Sequence, residues 1–250
     1  MNVALSKFKY FFRKYPFGVS SPDRESSNSK MTITYLHIGK TAGTQIAFLA
    51  QEINRLSPIK IEIAPHKTKL KDISSESDYF FSIRNPISRF VSAFYTRKNK
   101  GGERYLKDWS PDETMAYSYF PEANDLAESL FVKGEQGRLA LAAMQSVGHI
   151  AMHQIDWFVS AGFHLTLRPP IWIIRQEYFE PDFNDFISRS KIPVSMDMLR
   201  GFINNENSNK TDYKSEVFLS SAAIHNLNIW YSRDMAFYNS CESWLLSRLK

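Results

Sequence analysis

Predicted strands and helices alternate through the first hundred residues, and their order leaves few alternatives for the fold. Short β-branched and apolar runs, typical of buried strands, alternate with stretches whose apolar residues recur at helical spacing. The predicted strands cover residues 32–37, 59–64 and 78–83, and the predicted helices cover 44–56 and 87–97. Strands joined through a helix run parallel in one sheet. The sequence therefore predicts an α/β fold with a central parallel sheet flanked by helices.

The second half of the chain is predicted to be largely helical. Ser110 and Glu113 form a capping-box pattern around Pro111, which marks the start of a helix. An amphipathic helix with a break near Ser232 is expected from residue 215 onward. Further helices are predicted over 122–132, 135–147 and 179–190, with one more buried strand over 171–174.

The domain organisation predicted is simple. Residues 1–30 are expected to form an N-terminal extension whose second half is a serine-rich linker, and 31–250 a single domain. Met1 and Met31 are both candidate start sites. The extension lacks the apolar core of a signal peptide, and a docked extension is preferred over a basic helix in peripheral contact with a membrane.

Composition excludes several classes of function. The net charge of +5 suits an anionic ligand but is too small and too dispersed for a dedicated nucleic-acid binder. A single cysteine, Cys241, cannot form an intrachain disulfide, which favours a reducing compartment. No apolar stretch approaches the ~20 residues that span a bilayer.

The loop between the first predicted strand and helix is suited to binding a phosphate-like anion. It contains Gly39, Lys40, Thr41, Ala42, Gly43 and Thr44. Glycines allow backbone amides to approach an anion, and the helix start adds unpaired N–H groups. Lys40 adds a positive charge, and Thr41 and Thr44 are predicted to supply hydroxyl donors. An ATP-binding loop would also end in Gly-Lys-Thr, but its first glycine would fall on Thr34, so a magnesium–nucleotide site is disfavoured.

A second segment strengthens this interpretation. Arg84 ends the third predicted strand, Pro86 opens the next helix, and Ser92 follows two turns later. Arginine binds phosphate with two parallel hydrogen bonds. Because ligands of open α/β sheets bind at the carboxyl ends of the strands, Arg84 and Ser92 are predicted to hold one anion there.

Together, the two segments resemble the carbohydrate sulfotransferases related to heparan sulfate 2-O-sulfotransferase. The first reads His-Ile-Gly-Lys-Thr-Ala-Gly-Thr from His37, and the second reads Ser-Ile-Arg-Asn-Pro-Ile-Ser-Arg-Phe-Val-Ser-Ala-Phe-Tyr from Ser82. The resemblance is most specific over residues 31–97. It implies the P-loop-like sulfotransferase fold and 3′-phosphoadenosine-5′-phosphosulfate (PAPS) as sulfate donor. No metal is implied.

The resemblance assigns roles to single residues. Lys40 would contact the phosphosulfate, Arg84 and Ser92 would hold the 3′-phosphate, and the 5′-phosphate would lie against Gly39, Thr41, Ala42, Gly43 and Thr44. Two residues depart from the family pattern, since Gly39 replaces a proline and Asn85 replaces an aspartate. Neither change removes a predicted ligand. Weaker similarity continues in the strand-then-acidic-helix segment 173–183 and in a C-terminal Tyr-x-x-Asp-x-x-x-Tyr pattern beginning at Tyr231.

Transfer to a hydroxyl needs a base, and histidine is the natural choice near neutral pH. His66 follows the second strand and is therefore predicted at the same sheet edge as Lys40, where related enzymes with a histidine base place theirs. His37 is predicted to shape the loop. His149 and His153 are predicted as an acceptor-site or structural pair, and Gln154 as a residue bordering the cofactor or a sugar. The other predicted acceptor contacts are Arg97, Lys98, Arg104 and Trp157.

The leading hypothesis is thus a PAPS-dependent sulfotransferase that acts on a hydroxylated acceptor, a glycan or glycolipid in the first instance. Two alternatives stay open, a nucleotide-dependent phosphotransferase and a catalytically inactive polyanion-binding protein. The family resemblance, combined with a chain that shows no anchor or disulfide, favours a bacterial cytoplasmic enzyme. The acceptor and the oligomeric state are not determined by the sequence.

Overall fold

The computed structural model describes residues 31–100, 107–158, 163–203 and 217–248. The predicted N-terminal extension, residues 1–30, lies outside these ranges. Within them the chain forms an α/β structure, as predicted, and none of the helices is both long and apolar enough to cross a membrane.

A parallel sheet of four strands is the centre of the described chain. The strands are β1 (Thr32–Leu36), β2 (Lys60–Ile63), β3 (Asp78–Ile83) and β4 (Ile173–Arg175), in the order β2-β1-β3-β4. All three neighbouring pairs are parallel. The central strand β3 is buried along almost its whole length, from Tyr79 to Ile83, which is typical of parallel sheets covered on both faces. The predicted parallel sheet is confirmed, and β4 begins two residues later than expected.

The strand order contains a reversal that matters for the site. The chain passes from β1 outward to β2 on one side, and then returns to place β3 on the other side of β1. The loops that follow β1 and β3 therefore diverge to opposite faces and leave a crevice at the carboxyl ends of these strands. In open α/β sheets this topological switch point is where ligands bind.

Two helices follow these central strands directly. Helix α1 (Gly43–Leu56) buries Ile46, Leu49 and Ile53 against the sheet. Helix α2 (Pro86–Lys98) buries Phe90, Ala93 and Phe94 in a separate cluster formed by helices.

The second half of the described chain is largely helical, as predicted. Ser110 and Glu113 form the expected capping box. The predicted break near Ser232 is confirmed as a single residue, Tyr231, between two helices. A helix over residues 196–203 was not predicted. The helices are α3 (Pro111–Tyr119), α4 (Ala123–Ser129), α5 (Glu135–Ser146), α6 (Phe163–Leu167), α7 (Phe179–Arg189), α8 (Met196–Ile203), α9 (Ser221–Trp230) and α10 (Ser232–Arg248).

Buried apolar side chains form two clusters. The larger one surrounds the sheet and includes Tyr35, Phe80, Phe81 and Trp172. The second lies among α2, α3, α4, α5 and α9 and includes no strand residue. The segment of residues 147–158 contributes to both clusters, with Ile150 in the helical one and Trp157 in the one around the sheet. This segment therefore joins the two halves of the core.

Candidate anion-binding site

The loop between β1 and α1 contains two left-handed residues. Lys40 and Ala42 both have positive φ, at 70° and 73°, although neither is glycine. Left-handed residues alternating in a loop direct successive N–H groups to one side, and strain of this kind is found where function requires it. No side chain caps α1 at Ala42. The amides of its first turn, which include those of Gly43 and Thr44, are thus oriented for an anion.

Both glycines of the loop are required because imidazole rings pack against them. A Cβ added at Gly43 would lie 1.8 Å from Nε2 of His37, and one added at Gly39 would lie 2.9 Å from Nδ1 of His149. The sequence analysis explained these glycines by the approach of an anion. The structure adds that Gly39 brings the loop against a histidine more than a hundred residues away, and that His37 shapes the loop as predicted.

Thr41 faces the protein interior, which corrects its predicted role as a hydroxyl donor to phosphate. Its side chain is fully buried, and Oγ1 donates to the carbonyl of Ile38 at 2.8 Å. The same hydroxyl lies 2.8 Å from Oγ of Ser82, which lies 2.6 Å from the Tyr35 hydroxyl. These bonds fix the loop to β1 and β3. Any contact of Thr41 with a phosphate is therefore left to its backbone N–H.

Lys40 lies beside α2 and close to two other cations. Its Nζ donates to Oγ1 of Thr96 at 2.8 Å. Burial, together with the nearby guanidinium groups of Arg84 and Arg89, lowers the pKa of Lys40 from 10.5 to about 8. Three cations in a partly buried position repel one another, and an anion bound among them would relieve that repulsion.

Arg84 follows β3 at the edge of the sheet where the Lys40 loop leaves β1. Its Nε donates to Oγ of Ser88 at 3.0 Å. Gln154 holds its backbone from both sides, because Oε1 accepts from the Arg84 N–H at 3.0 Å and Nε2 donates to the Arg84 carbonyl at 2.8 Å. Ser92 lies on the buried face of α2. Of the two residues predicted for the second phosphate, Arg84 therefore lies at the strand–helix junction and Ser92 lies buried within the helix that follows.

Asn85 has a structural function at the start of α2. Its side chain accepts from the N–H groups of Ile87 and Ser88 at 3.0 and 3.3 Å and so caps α2. An acidic side chain nearby comes from elsewhere, since Oε1 of Glu177 accepts from the Asn85 N–H at 2.8 Å. The capping function needs only a side-chain oxygen, so asparagine serves as well as aspartate.

Three histidines form a cluster beside the Lys40 loop. The ring centroids of His37 and His66 are 3.8 Å apart, and those of His66 and His149 are 6.0 Å apart. Burial lowers the pKa of His37 to about 3 and that of His149 to about 4, with neighbouring cations and imidazoles adding to the effect. His66 is exposed, and burial of part of its ring lowers its pKa as well. All three imidazoles are therefore neutral at pH 7.

Two predicted ligand-facing residues after His149 are instead buried supports. Trp157 is only 2 % exposed, so its indole offers no stacking surface to a sugar. Its Nε1 donates to the carbonyl of His66 at 3.0 Å and holds that residue in place. Gln154 is fully buried and binds the Arg84 backbone, so it borders no open cleft. Both predictions of acceptor or cofactor contact are corrected by this burial.

The remaining predicted acceptor contacts are dispersed. Arg97 is buried and donates from Nε to Oε1 of Glu113 at 2.7 Å, so its charge is compensated inside the protein. Nζ of Lys98 lies 2.9 Å from Glu122. The ring of His153 packs beside Trp230 and Tyr231. Arg104 lies outside the described residues.

His149 and His153 are not brought together on a helix. The segment between α5 and residue 154 is irregular, and His149 has a φ of 65°. Only His149 contacts the Lys40 loop. Within the described ranges, no group of three or more His, Cys, Asp or Glu is arranged to hold a metal ion.

Sequence analysis assigned no role to two buried charges beside the site. Arg89, only 1 % exposed, donates from Nε to the carbonyl of Gly39 at 2.9 Å. Asp234 is fully buried and accepts from the N–H groups of Gln154 and Ile155 at 2.8 and 3.1 Å. Both lie in segments that carry the family resemblance, but their burial could not be read from spacing alone.

Comparison with known proteins adds no family to this description. A scan against protein-family models found no match to the chain, and a search of curated proteins found no significant relative.

Proposed function

We propose that this protein is a sulfotransferase that takes its sulfuryl group from PAPS and transfers it to a hydroxyl group of an acceptor. One observation carries the proposal. The Lys40 loop and Arg84 follow adjacent parallel strands at the topological switch point, which brings their two cationic side chains to one edge of the sheet. A nucleotide with phosphate groups at both its 5′ and 3′ positions matches this pair of sites.

The residues divide between the two ends of the donor. The backbone N–H groups at the start of α1 and the charge of Lys40 suit the 5′-phosphosulfate. Arg84 and Ser92 suit the 3′-phosphate. During transfer the acceptor oxygen bonds to sulfur while the bond from sulfur to the bridging oxygen breaks. Negative charge develops on the 5′-phosphate, where the ammonium of Lys40 would stabilise it.

His66 is the proposed base. It is exposed, lies against His37, and its backbone carbonyl is held by Trp157. Its lowered pKa keeps the imidazole neutral at pH 7, the state able to accept the proton of the acceptor hydroxyl. His149 is the other candidate within this cluster. Its burial beside Gly39 fits it better for supporting the loop than for meeting an acceptor.

The acceptor is proposed to be a carbohydrate, as a free glycan or a glycolipid. This part of the proposal comes from the sequence resemblance. The basic residues first predicted for the acceptor do not define its charge, because Arg97 and Lys98 are paired with Glu113 and Glu122.

Nucleotide preference tests the proposal directly. The melting temperature of the protein would be measured with adenosine 3′,5′-bisphosphate, the desulfated product, and separately with ATP and Mg²⁺. We expect stabilisation by several degrees with the bisphosphate, since a ligand at 100 times its Kd adds about 2.7 kcal/mol. Stabilisation by ATP and Mg²⁺ without an effect of the bisphosphate would instead support a phosphotransferase.

A further inference from the structure

Residues 152–154 contact both halves of the proposed donor site. The carbonyl of Met152 accepts from Nη1 of Arg89 at 2.9 Å, and Nε of the same arginine donates to the carbonyl of Gly39 at 2.9 Å. Two residues further on, Gln154 holds the backbone N–H and carbonyl of Arg84. The Lys40 loop and the Arg84 junction are therefore tied to positions only two residues apart in the chain.

Burial of the Arg89 guanidinium carries a desolvation penalty, and few groups compensate its charge. Only 1 % of its surface is exposed, and its Nη2 has no hydrogen-bond partner in the part of the chain that the structure describes. The acidic groups of Asp234 and Asp156 act on it from outside hydrogen-bond contact. Burying a guanidinium group costs desolvation free energy unless its N–H groups form hydrogen bonds. Here the fork spans two carbonyls from different segments, a task that requires arginine geometry.

Asp234 anchors the C-terminal end of this segment. Its two carboxylate oxygens accept from the N–H groups of Gln154 and Ile155, at 2.8 and 3.1 Å. The carboxylate is fully buried in α10, 80 residues away from Gln154. Residues 152–154 are thus fixed to the core and provide a rigid reference for both anion sites.

We propose that Arg89 and Gln154 are positioning residues for separate halves of the donor site, and that residues 152–154 form the rigid segment that connects them. Arg89 sets the Lys40 loop through the Gly39 carbonyl and thereby the site of the 5′-phosphate. Gln154 sets Arg84 and thereby the site of the 3′-phosphate. The inference rests on the proposed function, because it takes the two anions to be the two ends of one nucleotide.

The two halves can be tested separately with nucleotides that carry one phosphate. Binding of adenosine 5′-monophosphate, adenosine 3′-monophosphate and adenosine 3′,5′-bisphosphate would be measured by calorimetry for the wild-type chain and two variants. Arg89→Lys keeps the charge, but an ammonium cannot span both carbonyls. We expect it to weaken the 5′-monophosphate about tenfold and to leave the 3′-monophosphate unchanged.

Gln154→Glu should give the opposite pattern. Its carboxylate can still accept from the Arg84 N–H but cannot donate to the Arg84 carbonyl. We expect the 3′-monophosphate to weaken about tenfold while the 5′-monophosphate is unaffected. Arg168→Lys is the matched control, because Arg168 also donates only to backbone carbonyls, those of Leu70 and Ile73 at 3.0 Å each and that of Ser74. It should change stability without selecting either nucleotide.

The binding results distinguish failure of these positioning roles from failure of the proposed function. If the wild-type chain binds the bisphosphate but each variant weakens both monophosphates equally, or neither, the division of roles is wrong and the donor assignment stands. If the wild-type chain binds none of the three nucleotides, the proposed function fails. If either variant does not fold, Arg89→Gln or Gln154→Met replaces it. Each keeps an unbranched side chain, but the shorter glutamine cannot span both carbonyls, and methionine makes neither hydrogen bond to the Arg84 backbone.

Discussion

Lys40 differs from a surface lysine in both conformation and surroundings. Its backbone is left-handed, its ammonium contacts Thr96, and two guanidinium groups lie nearby. Burial and these charges bring its pKa down to about 8. The residue thus changes charge within an accessible pH range, which an isolated lysine does not.

Bisphosphate affinity should therefore depend on pH above neutrality. Below pH 8 Lys40 is protonated and attracts the anion, and above pH 8 the free protein loses that proton, so binding must restore it. We expect Kd to be nearly constant at pH 6.5–7.5 and to rise by up to about tenfold per unit between pH 8 and 10. Calorimetry across this range measures the effect.

Lys40→Arg provides the control, because a guanidinium stays charged throughout this range. The variant should bind the bisphosphate with no alkaline loss of affinity. An alkaline loss that is the same in Lys40→Arg and in the wild-type chain would place the titrating group elsewhere. Lys40→Ala should weaken binding at every pH and abolish transfer.

His66→Ala should remove transfer and spare donor binding. A positioned base contributes about 10²–10⁴ to the rate, so kcat should fall by at least about 10² while the Kd of the bisphosphate changes little. Sulfate transfer from labelled PAPS, with calorimetry for binding, gives both quantities. Near-normal kcat would exclude His66 as the base and direct attention to His149.

The pH dependence of transfer provides a second test of His66 as the base. A base must be neutral to accept a proton, and His66 has a pKa lowered from 6.5 by burial. The acidic decline of kcat/KM should therefore lie below pH 6.5. A decline centred above pH 6.5 would contradict this assignment.

Among the elements, α2 is the one whose start bears most directly on the site. Arg84 precedes it, Asn85 caps it, and Ser92 lies on its buried face. Its N–H groups at the first turn are satisfied by the Asn85 side chain. The cap therefore fixes both the helix and the residue that precedes it.

Removing this cap should be measurable as a loss of stability. Asn85→Ala leaves the N–H groups of Ile87 and Ser88 without their side-chain acceptor and should lower the free energy of unfolding by about 1 kcal/mol. Asn85→Asp retains the acceptor and should be nearly neutral. Urea denaturation of both variants gives the comparison, and equal losses in the two would show that the cap is not what Asn85 contributes.

The sequence predicted most elements well and the supporting contacts poorly. Strands and helices were recognisable because their apolar periodicity is strong, and the capping box at Ser110 gave the start of α3. The inward orientation of Thr41 and the burial of Trp157 were not, since both depend on contacts with residues far away in the chain. Local pattern carries no information about such contacts.

At the scale of the whole molecule, the site lies where the sheet core and the helical cluster are joined. Residues 147–158 belong to both, and Glu113 holds this segment from the helical side by accepting from the Gly148 N–H at 3.1 Å. The same carboxylate pairs with Arg97. These bonds hold the pKa of Glu113 at about 2 against the opposing effect of burial.

Stability in acid should reflect this carboxylate. Glu113 has a folded pKa of about 2 and an unfolded value near 4.5, so its contribution is complete above pH 4.5 and is lost progressively as pH falls toward 2. Glu113→Gln cannot titrate. We expect the variant to be less stable at pH 7 and to lose less stability between pH 5 and 3 than the wild-type chain. Urea denaturation at the two pH values would show it, and parallel losses would contradict it.

The sequence predicted site residues only where they belong to short ligand-facing motifs. Lys40 and Arg84 were found that way, and His66 was chosen by its position after a strand. Arg89 and Asp234 act through carbonyls and amides of other segments. Arg89 lies in the segment that begins at Ser82, and Asp234 lies in the weaker C-terminal pattern that begins at Tyr231. Neither pattern distinguishes a buried support from a surface charge.

These supporting hydrogen bonds join residues far apart in the sequence, which has a consequence during synthesis. The Gln154–Arg84 bonds span 70 residues, and the Asp234–Gln154 bond spans 80. The ribosome synthesises the Lys40 loop and the Arg84 segment long before residue 234. Contacts between residues this distant in sequence form late in folding. We expect nascent chains that end before α10 to bind no nucleotide, so that ligand capture marks the completed polypeptide.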